Sequence, residues 1–290
     1  MGFPSDVNVI DLMLSIPGED NSAWYDFMKP LLLDEQSRHQ FSMPAQYMFK
    51  DIPDAGAQAD YVAWTVAQMD KHGIERAMLD IDDDKPVALA AVERYPQRFF
   101  CSYEANPNGA MDEVRKIRRL KARYDIKAVT AFPAGLCPQV PVNDKKWYPV
   151  YTTLVDLDIP FCPCMGVPGP RLPMAAQHVE LLDEVCWFFP ELRIVTRHGC
   201  EPWTELACKL MLKYPNLHYM TSAFAPRYYP EDIIRFANTR GSNQVMYAGY
   251  FPMGITLDRI FAELPDVPLR DAVWPKFLRD NAVRVFKLDE

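Results

Sequence analysis

The chain has 290 residues, 49% hydrophobic and 12% aromatic, enough apolar surface for a continuous core and too much for a disordered scaffold. Lys plus Arg number 31 against 39 Asp plus Glu, and a formal charge of −8 argues against nucleic acid or an anionic membrane as partner. The 26 Pro imply many rigid corners and many elements, whereas 5 His are few for a metal enzyme.

Residues 1–11 show no basic start followed by an apolar run, so no secretory leader is expected. No apolar stretch reaches the ~18 residues that a membrane span needs. Seven Cys, an odd number set mostly in apolar segments, read as reduced thiols of a cytoplasmic protein. Cys162 and Cys164 alternate on one strand-like run and share a face. A zinc pair there would lack a CxxC partner, so they read as small buried side chains.

In chain order, β-like runs at residues 7–12, 77–81, 99–103, 126–131, 159–164, 192–196, 217–221 and 244–247 alternate with amphipathic stretches such as 61–71, 111–124, 179–188 and 230–238. This alternation predicts an α/β fold, the (β/α)8 TIM barrel, in one domain over residues 1–290. The rival doubly wound sheet lacks its Gly-rich phosphate fingerprint after any strand. His72-Gly73 punctuates a helix end, and Tyr95-Pro96 and Phe189-Pro190 stop helices before strands three and six. A long insertion after strand one, residues 15–60, is rich in Met and aromatics. It is placed as a lid or subunit contact at the mouth, or as a satellite core against the barrel side.

The run from Phe189 to Gly199, followed by Pro202-Trp203, looks like a strand-six motif ending in a metal-binding His. Asn216-Leu217-His218-Tyr219 with Thr221-Ser222-Ala223, the run from Gln244 to Pro252, and the closing Asn281-Ala282-Val283-Arg284-Val285-Phe286 follow in order. Gly73-Ile74-Glu75-Arg76-Ala77 and Tyr95-Pro96-Gln97-Arg98-Phe99-Phe100 fit the second and third units. Together they resemble the amidohydrolase-related (family 2) branch of the amidohydrolase superfamily over nearly the whole chain. The resemblance implies a divalent ion, commonly Zn or Mn, at the C-terminal mouth of the barrel. A His-x-His on strand one, one His each on strands five and six and an Asp on strand eight would serve it, supporting hydrolysis, hydration or non-oxidative decarboxylation.

Carried onto this chain, the pattern mostly fails. Met13 and Ser15 take the two strand-one His positions, residues 159–167 hold no His, and Tyr250 stands where the Asp is expected. Only His198 remains, as the single metal candidate. A replacement catalytic set is His198, Glu201 and Arg197, with Glu201 accepting a hydrogen bond from His198. The alternative is a His198 that merely orders the loop before Trp203. Met13, Ser15, Asp82, Glu104, Arg227 and Tyr250 are expected to line the substrate pocket. Asp82-Asp83-Asp84 reads as an oxygen site for a hard cation or as solvated surface with a helix cap. Cys200 reads as a nucleophile or as a small residue in a tight loop.

Three functions follow. The first is a non-catalytic or supporting subunit that pairs with a homologous barrel, or a homodimer, as in the smaller subunit of a heteromeric monooxygenase hydroxylase component such as 2-aminoisobutyrate hydroxylase. The metal, Zn, Mn or Fe, would then be held by the partner subunit or through His198. The second is a hydrolase or non-oxidative decarboxylase for a small carboxylated or cyclic substrate. The third is a barrel that binds a small organic anion through Arg197 and Arg227 without chemistry.

Overall fold

The computed structural model describes residues 3–4 and 7–289; of the segment 1–11 read for a leader, residues 1, 2, 5 and 6 lie outside the described residues. Eight parallel strands follow in chain order: β1 (Val9–Asp11), β2 (Ile74–Asp80), β3 (Phe99–Glu104), β4 (Ala128–Ala131), β5 (Phe161–Pro163), β6 (Ile194–Thr196), β7 (Leu217–Met220) and β8 (Val245–Met246). Each is hydrogen-bonded to the next, and a parallel bridge between Leu14 and Phe251 joins the last to the first. There the Ser15 N–H donates to the Phe251 carbonyl at 3.0 Å. The expected TIM barrel is the observed fold.

The strands read as nearly continuous apolar runs because both faces are covered. Ile10, Leu12, Met78, Phe100, Ala128, Cys162, Val195, Met220, Met246 and Ala248 fill the interior. Their strand neighbours face the surrounding helices: α1 (Tyr61–Lys71), α2 (Pro86–Arg94), α3 (Ala110–Tyr124), α4 (Tyr148–Asp156), α5 (Leu181–Phe188), α6 (Thr204–Lys213), α7 (Glu231–Ala237) and α8 (Leu257–Glu263). Helix α9 (Asn281–Phe286) joins the interior through Ala282, Val285 and Phe286, with Leu288 behind it. This plug excludes water from one end and leaves the other open for a site.

Local chemistry explains the boundaries. The Asp60 carboxylate caps α1 by accepting the Ala63 N–H at 3.0 Å. Gly73, at φ +65°, ends that helix as its sequence position implies. Pro86 opens α2, where a missing N–H costs nothing. Asp11 stitches the seam between β1 and β8: it is fully buried and accepts N–H groups of Met13 and Gly249 at 2.9 Å each, with the Tyr247 hydroxyl at 3.4 Å. Gly249 belongs there because a Cβ would lie 2.7 Å from the Asp11 carboxylate.

The insertion is built from short turns: a 3-10 helix Ser22–Leu31, a π turn Gln36–Gln40 and a 3-10 turn Gln46–Met48. Met28 and Leu32 pack with Ala134 and Leu172 in a small core of their own. Arg171 clamps the insertion from the loop after β5, bonding Asp34 at 2.6 Å and Gln36 at 2.9 Å. Its guanidinium also sits 5.7 and 5.0 Å from the Phe41 and Tyr47 ring centres. The segment thus has a small core of its own and also walls the mouth.

Candidate functional site

A cavity of about 1530 Å³ opens at the C-terminal ends of the strands, with Trp24, Tyr25, Met48 and Phe49 of the insertion on its outer wall. Period-two alternation decides what each strand presents there. On β2 the inward residue after Met78 is Asp80; on β3, Glu104 follows Phe100 and Ser102. Thr130 from β4, Cys164 just past β5, Arg197 just past β6, and Tyr250 beyond β8 complete the ring.

Arg197 dominates it. The residue is 6% exposed, yet among the described residues no carboxylate lies within ion-pair distance of its guanidinium. Its Nη2 contacts the Met13 sulfur at 2.8 Å, and its Nε has no hydrogen-bond partner. Glu104 lines the same cavity and no hydrogen bond holds it among the described residues. Burial and the neighbouring Asp80 charge push its carboxyl up, against the pull of Arg197 and Lys85. Asp80 is bound to Lys85 through Oδ2, while its buried Oδ1 is unpartnered, as is the buried Thr130 hydroxyl. Around Glu104 the mouth thus brings together Asp80, Lys85 and Arg197, with several polar atoms of unmet hydrogen-bonding capacity.

His198 adopts the left-handed backbone region at φ 62°. The Ser222 hydroxyl accepts its backbone N–H at 3.0 Å and lies 3.1 Å from its Nδ1. Burial first, then the Arg197 charge, lowers its pKa to about 3, so the imidazole is neutral near pH 7. Its ring meets Tyr250 edge-on at 5.4 Å, and Tyr250 stacks on Phe49 at 5.5 Å. Burial raises the Tyr250 phenol.

Several sequence expectations need correction. Glu201 lines the cavity but does not hold His198, whose Nδ1 partner is Ser222; the expected acid–base pair is not formed. Asp82 reaches the rim only, its carboxylate taken by Lys116 at 2.5 Å, and Asp83 pairs with Arg119 at 2.7 Å. The Asp run is therefore ion-paired surface and not a cation site. Arg227 lines the cavity as expected, but its guanidinium pairs with Glu263, which Arg227 and Arg259 hold down at about 2 despite its burial. The Cys200 thiol is fully buried and pushed up to about 12 by that burial, the opposite of an activated nucleophile. Met13, Ser15, Glu104, Arg197, His198 and Tyr250 do converge. Asp80, Lys85, Thr130, Cys164 and Ser222 were missed, although counting in twos from Met78 reaches Asp80 as the last inward residue of β2, with Asp82 two residues past the strand end.

The residues present do not fit the divalent ion that the resemblance implied. Among the described residues, no three His, Cys, Asp or Glu side chains converge as metal ligands. At the relevant strand ends stand a thioether, a hydroxyl, a phenol and a thiol that burial pushes up to about 12. A fixed guanidinium lies among them, and its charge opposes a second cation. No helix among the described residues is long and apolar enough to cross a membrane.

Solved structures share this architecture. An uncharacterized TIM-barrel protein from Bordetella bronchiseptica aligns with TM-score 0.74 at 18% identity, covering 97% of this chain and 99% of that one. The 5-carboxyvanillate decarboxylase of Novosphingobium aromaticivorans aligns at 0.66 and 17% identity, over 98% of each chain. The 2,6-dihydroxybenzoate decarboxylase from Rhizobium aligns at 0.65 and 15%, over 98% of this chain and 100% of its own. At these identities the likeness establishes the fold and leaves the chemistry to the site. A comparison with curated proteins finds no match. The Amidohydrolase family model (Amidohydro_2) matches residues 28–288, so the chain belongs to the amidohydrolase family.

Proposed function

We propose that this barrel is a receptor for a small organic carboxylate, with the Arg197 guanidinium as its anchor. One observation carries the reading: a charge on a side chain 6% exposed, facing a large cavity, has no carboxylate partner among the described residues. Leaving a guanidinium so enclosed without a counter-ion is costly, and a bidentate carboxylate is the partner its fork matches best. The structurally similar decarboxylases are named for carboxylated aromatic substrates, the ligand class that this cavity would hold. Phe49, Tyr250 and Tyr25 supply ring faces for such a body.

The test is a set of aromatic and aliphatic carboxylates scored by thermal shift and calorimetry on the intact chain. A carboxylate at about 100 times its Kd should stabilise the protein by roughly 2.7 kcal/mol. Arg197→Met should abolish that gain while keeping the fold. Equal stabilisation of both proteins, or none of either, overturns the reading.

A second reading, as supporting subunit of a hetero-oligomer, draws on the insertion: Phe27, Leu33, Tyr47 and Met48 are 47%, 78%, 53% and 54% exposed. Exposed apolar side chains in such number within one segment suit burial against a second barrel. Native mass measurement of the complex recovered from its host decides it; a monomer eliminates it.

A further inference from the structure

The charges around Glu104 lead one step beyond the carboxylate site, and the step rests on that reading. Facing Glu104 are Asp80 on β2 with its partner Lys85, Thr130 on β4, Cys164 after β5 and Arg197 after β6. Lys85 is committed to Asp80. Arg197 is the cation left to balance Glu104, though the two are not in ion-pair contact among the described residues. As ionised groups, these four balance one another at the mouth.

A carboxylate arriving at Arg197 upsets this balance. It takes the guanidinium's attraction for itself and brings a third negative charge beside Asp80 and Glu104. Neutrality returns if one of those carboxylates is protonated. Asp80 is already engaged, because Lys85 sits directly on it. Among the described residues Glu104 has no hydrogen bond to lose, and burial together with Asp80 already disfavours its ionised form.

We propose that Glu104 takes up one proton from solvent each time a carboxylate binds at Arg197, so that the barrel admits anion and proton together. Protonated Glu104 then also has an O–H to donate, to the bound carboxylate or to the unpartnered Oδ1 of Asp80. Glu104 thereby makes the affinity for anions depend on pH, although Arg197 itself stays charged throughout.

The experiment is calorimetric titration of the intact chain with benzoate between about pH 5 and about pH 9, bracketing the carboxyl and imidazole ranges. Two buffers of different ionisation enthalpy at each pH give the proton count. The wild type should take up one proton per benzoate at the alkaline end, its affinity falling about tenfold per pH unit there. Glu104→Gln, permanently neutral and equal in size, should bind benzoate with no proton uptake and no pH slope. Benzoate binding without proton uptake by the wild type overturns the proposal, as does undiminished uptake in Glu104→Gln. Should that variant fail to fold, the wild-type proton count decides alone. Arg197→Met separates the two failures: binding that it leaves intact sinks the anion site itself, whereas binding that it abolishes but that carries no proton sinks only the role of Glu104. Absence of benzoate binding by the wild type across the range overturns both.

Discussion

Nη2 of Arg197 lies 2.8 Å from the sulfur of Met13, spanning the barrel mouth from the end of β6 to the end of β1. A guanidinium meets a thioether where family resemblance leads one to expect a cation held by imidazoles. The thioether is a weak acceptor, so the contact positions the cation without neutralising it. Charge at this mouth therefore belongs to the chain itself.

Metal removal should accordingly leave the protein unchanged. Dialysis against a chelator is expected to produce no shift in melting temperature, and elemental analysis to find far less than one Zn, Mn or Fe per chain. A fall in melting temperature that added metal restores would reverse this account.

Replacing Arg197 by Met should stabilise the ligand-free chain. The substitution removes an enclosed, unpaired charge and keeps much of its apolar stem, a change of about 1–3 kcal/mol by analogy with buried charges replaced by apolar side chains. Chemical denaturation of both proteins without ligand measures it; a clear loss of stability means that the guanidinium has partners within the chain.

Asp11→Ala should be severely destabilising. It strips acceptors from the N–H groups of Met13 and Gly249 at the seam that closes the barrel. Leaving buried donors unsatisfied costs about 1–3 kcal/mol each. Denaturation midpoints and soluble yield report the effect, and Asp11→Asn should recover part of it.

Acid should weaken the fold through its two enclosed imidazoles. His198 and His218 both have pKa values lowered to about 3, chiefly by burial, with cationic Arg neighbours second. The unfolded chain binds protons from about pH 6.5 downward while the folded chain refuses them, so stability is full above that pH. It declines progressively as pH falls toward about 3. His218→Leu, which also removes an unpartnered buried Nδ1, should flatten part of the decline in a plot of melting temperature against pH. An unchanged slope would mean that His218 is protonated in the folded barrel.

Arg171→Ala should loosen the insertion without unfolding the barrel. It removes the bonds to Asp34 and Gln36 and the contacts over Phe41 and Tyr47, all partly exposed, together about 1 kcal/mol. Hydrogen exchange across residues 22–49 should accelerate while the strands keep their protection. Faster exchange throughout would show that the insertion and barrel open as one unit.

Much of the architecture was legible because hydrophobic periodicity is local. The helix expected at 61–71 is α1 residue for residue, and β3 differs from its expected span only by Glu104. The expected strand at 159–164 is trimmed at both ends to Phe161–Pro163, and the one at 192–196 loses its first two residues to become Ile194–Thr196. Site membership was less legible. Asp82 drew notice as the start of an acidic run, but β2 ends at the inward-facing Asp80, and Asp82 lies past the strand end, where it pairs with Lys116. Glu201 stands close to His198 in sequence, yet the left-handed backbone at His198 presents the imidazole to Ser222 on the neighbouring strand end.

From residue order alone came the barrel and its family likeness, since each is written in short-range pattern and motif. Only the closed barrel decided which side chains meet at its mouth. Arg197, Glu104, Asp80 and Lys85 come from three strand ends and a loop, far apart in the chain. Whether such charges pair, or stay unpaired for a ligand, depends on distances and burial that closure of the barrel creates.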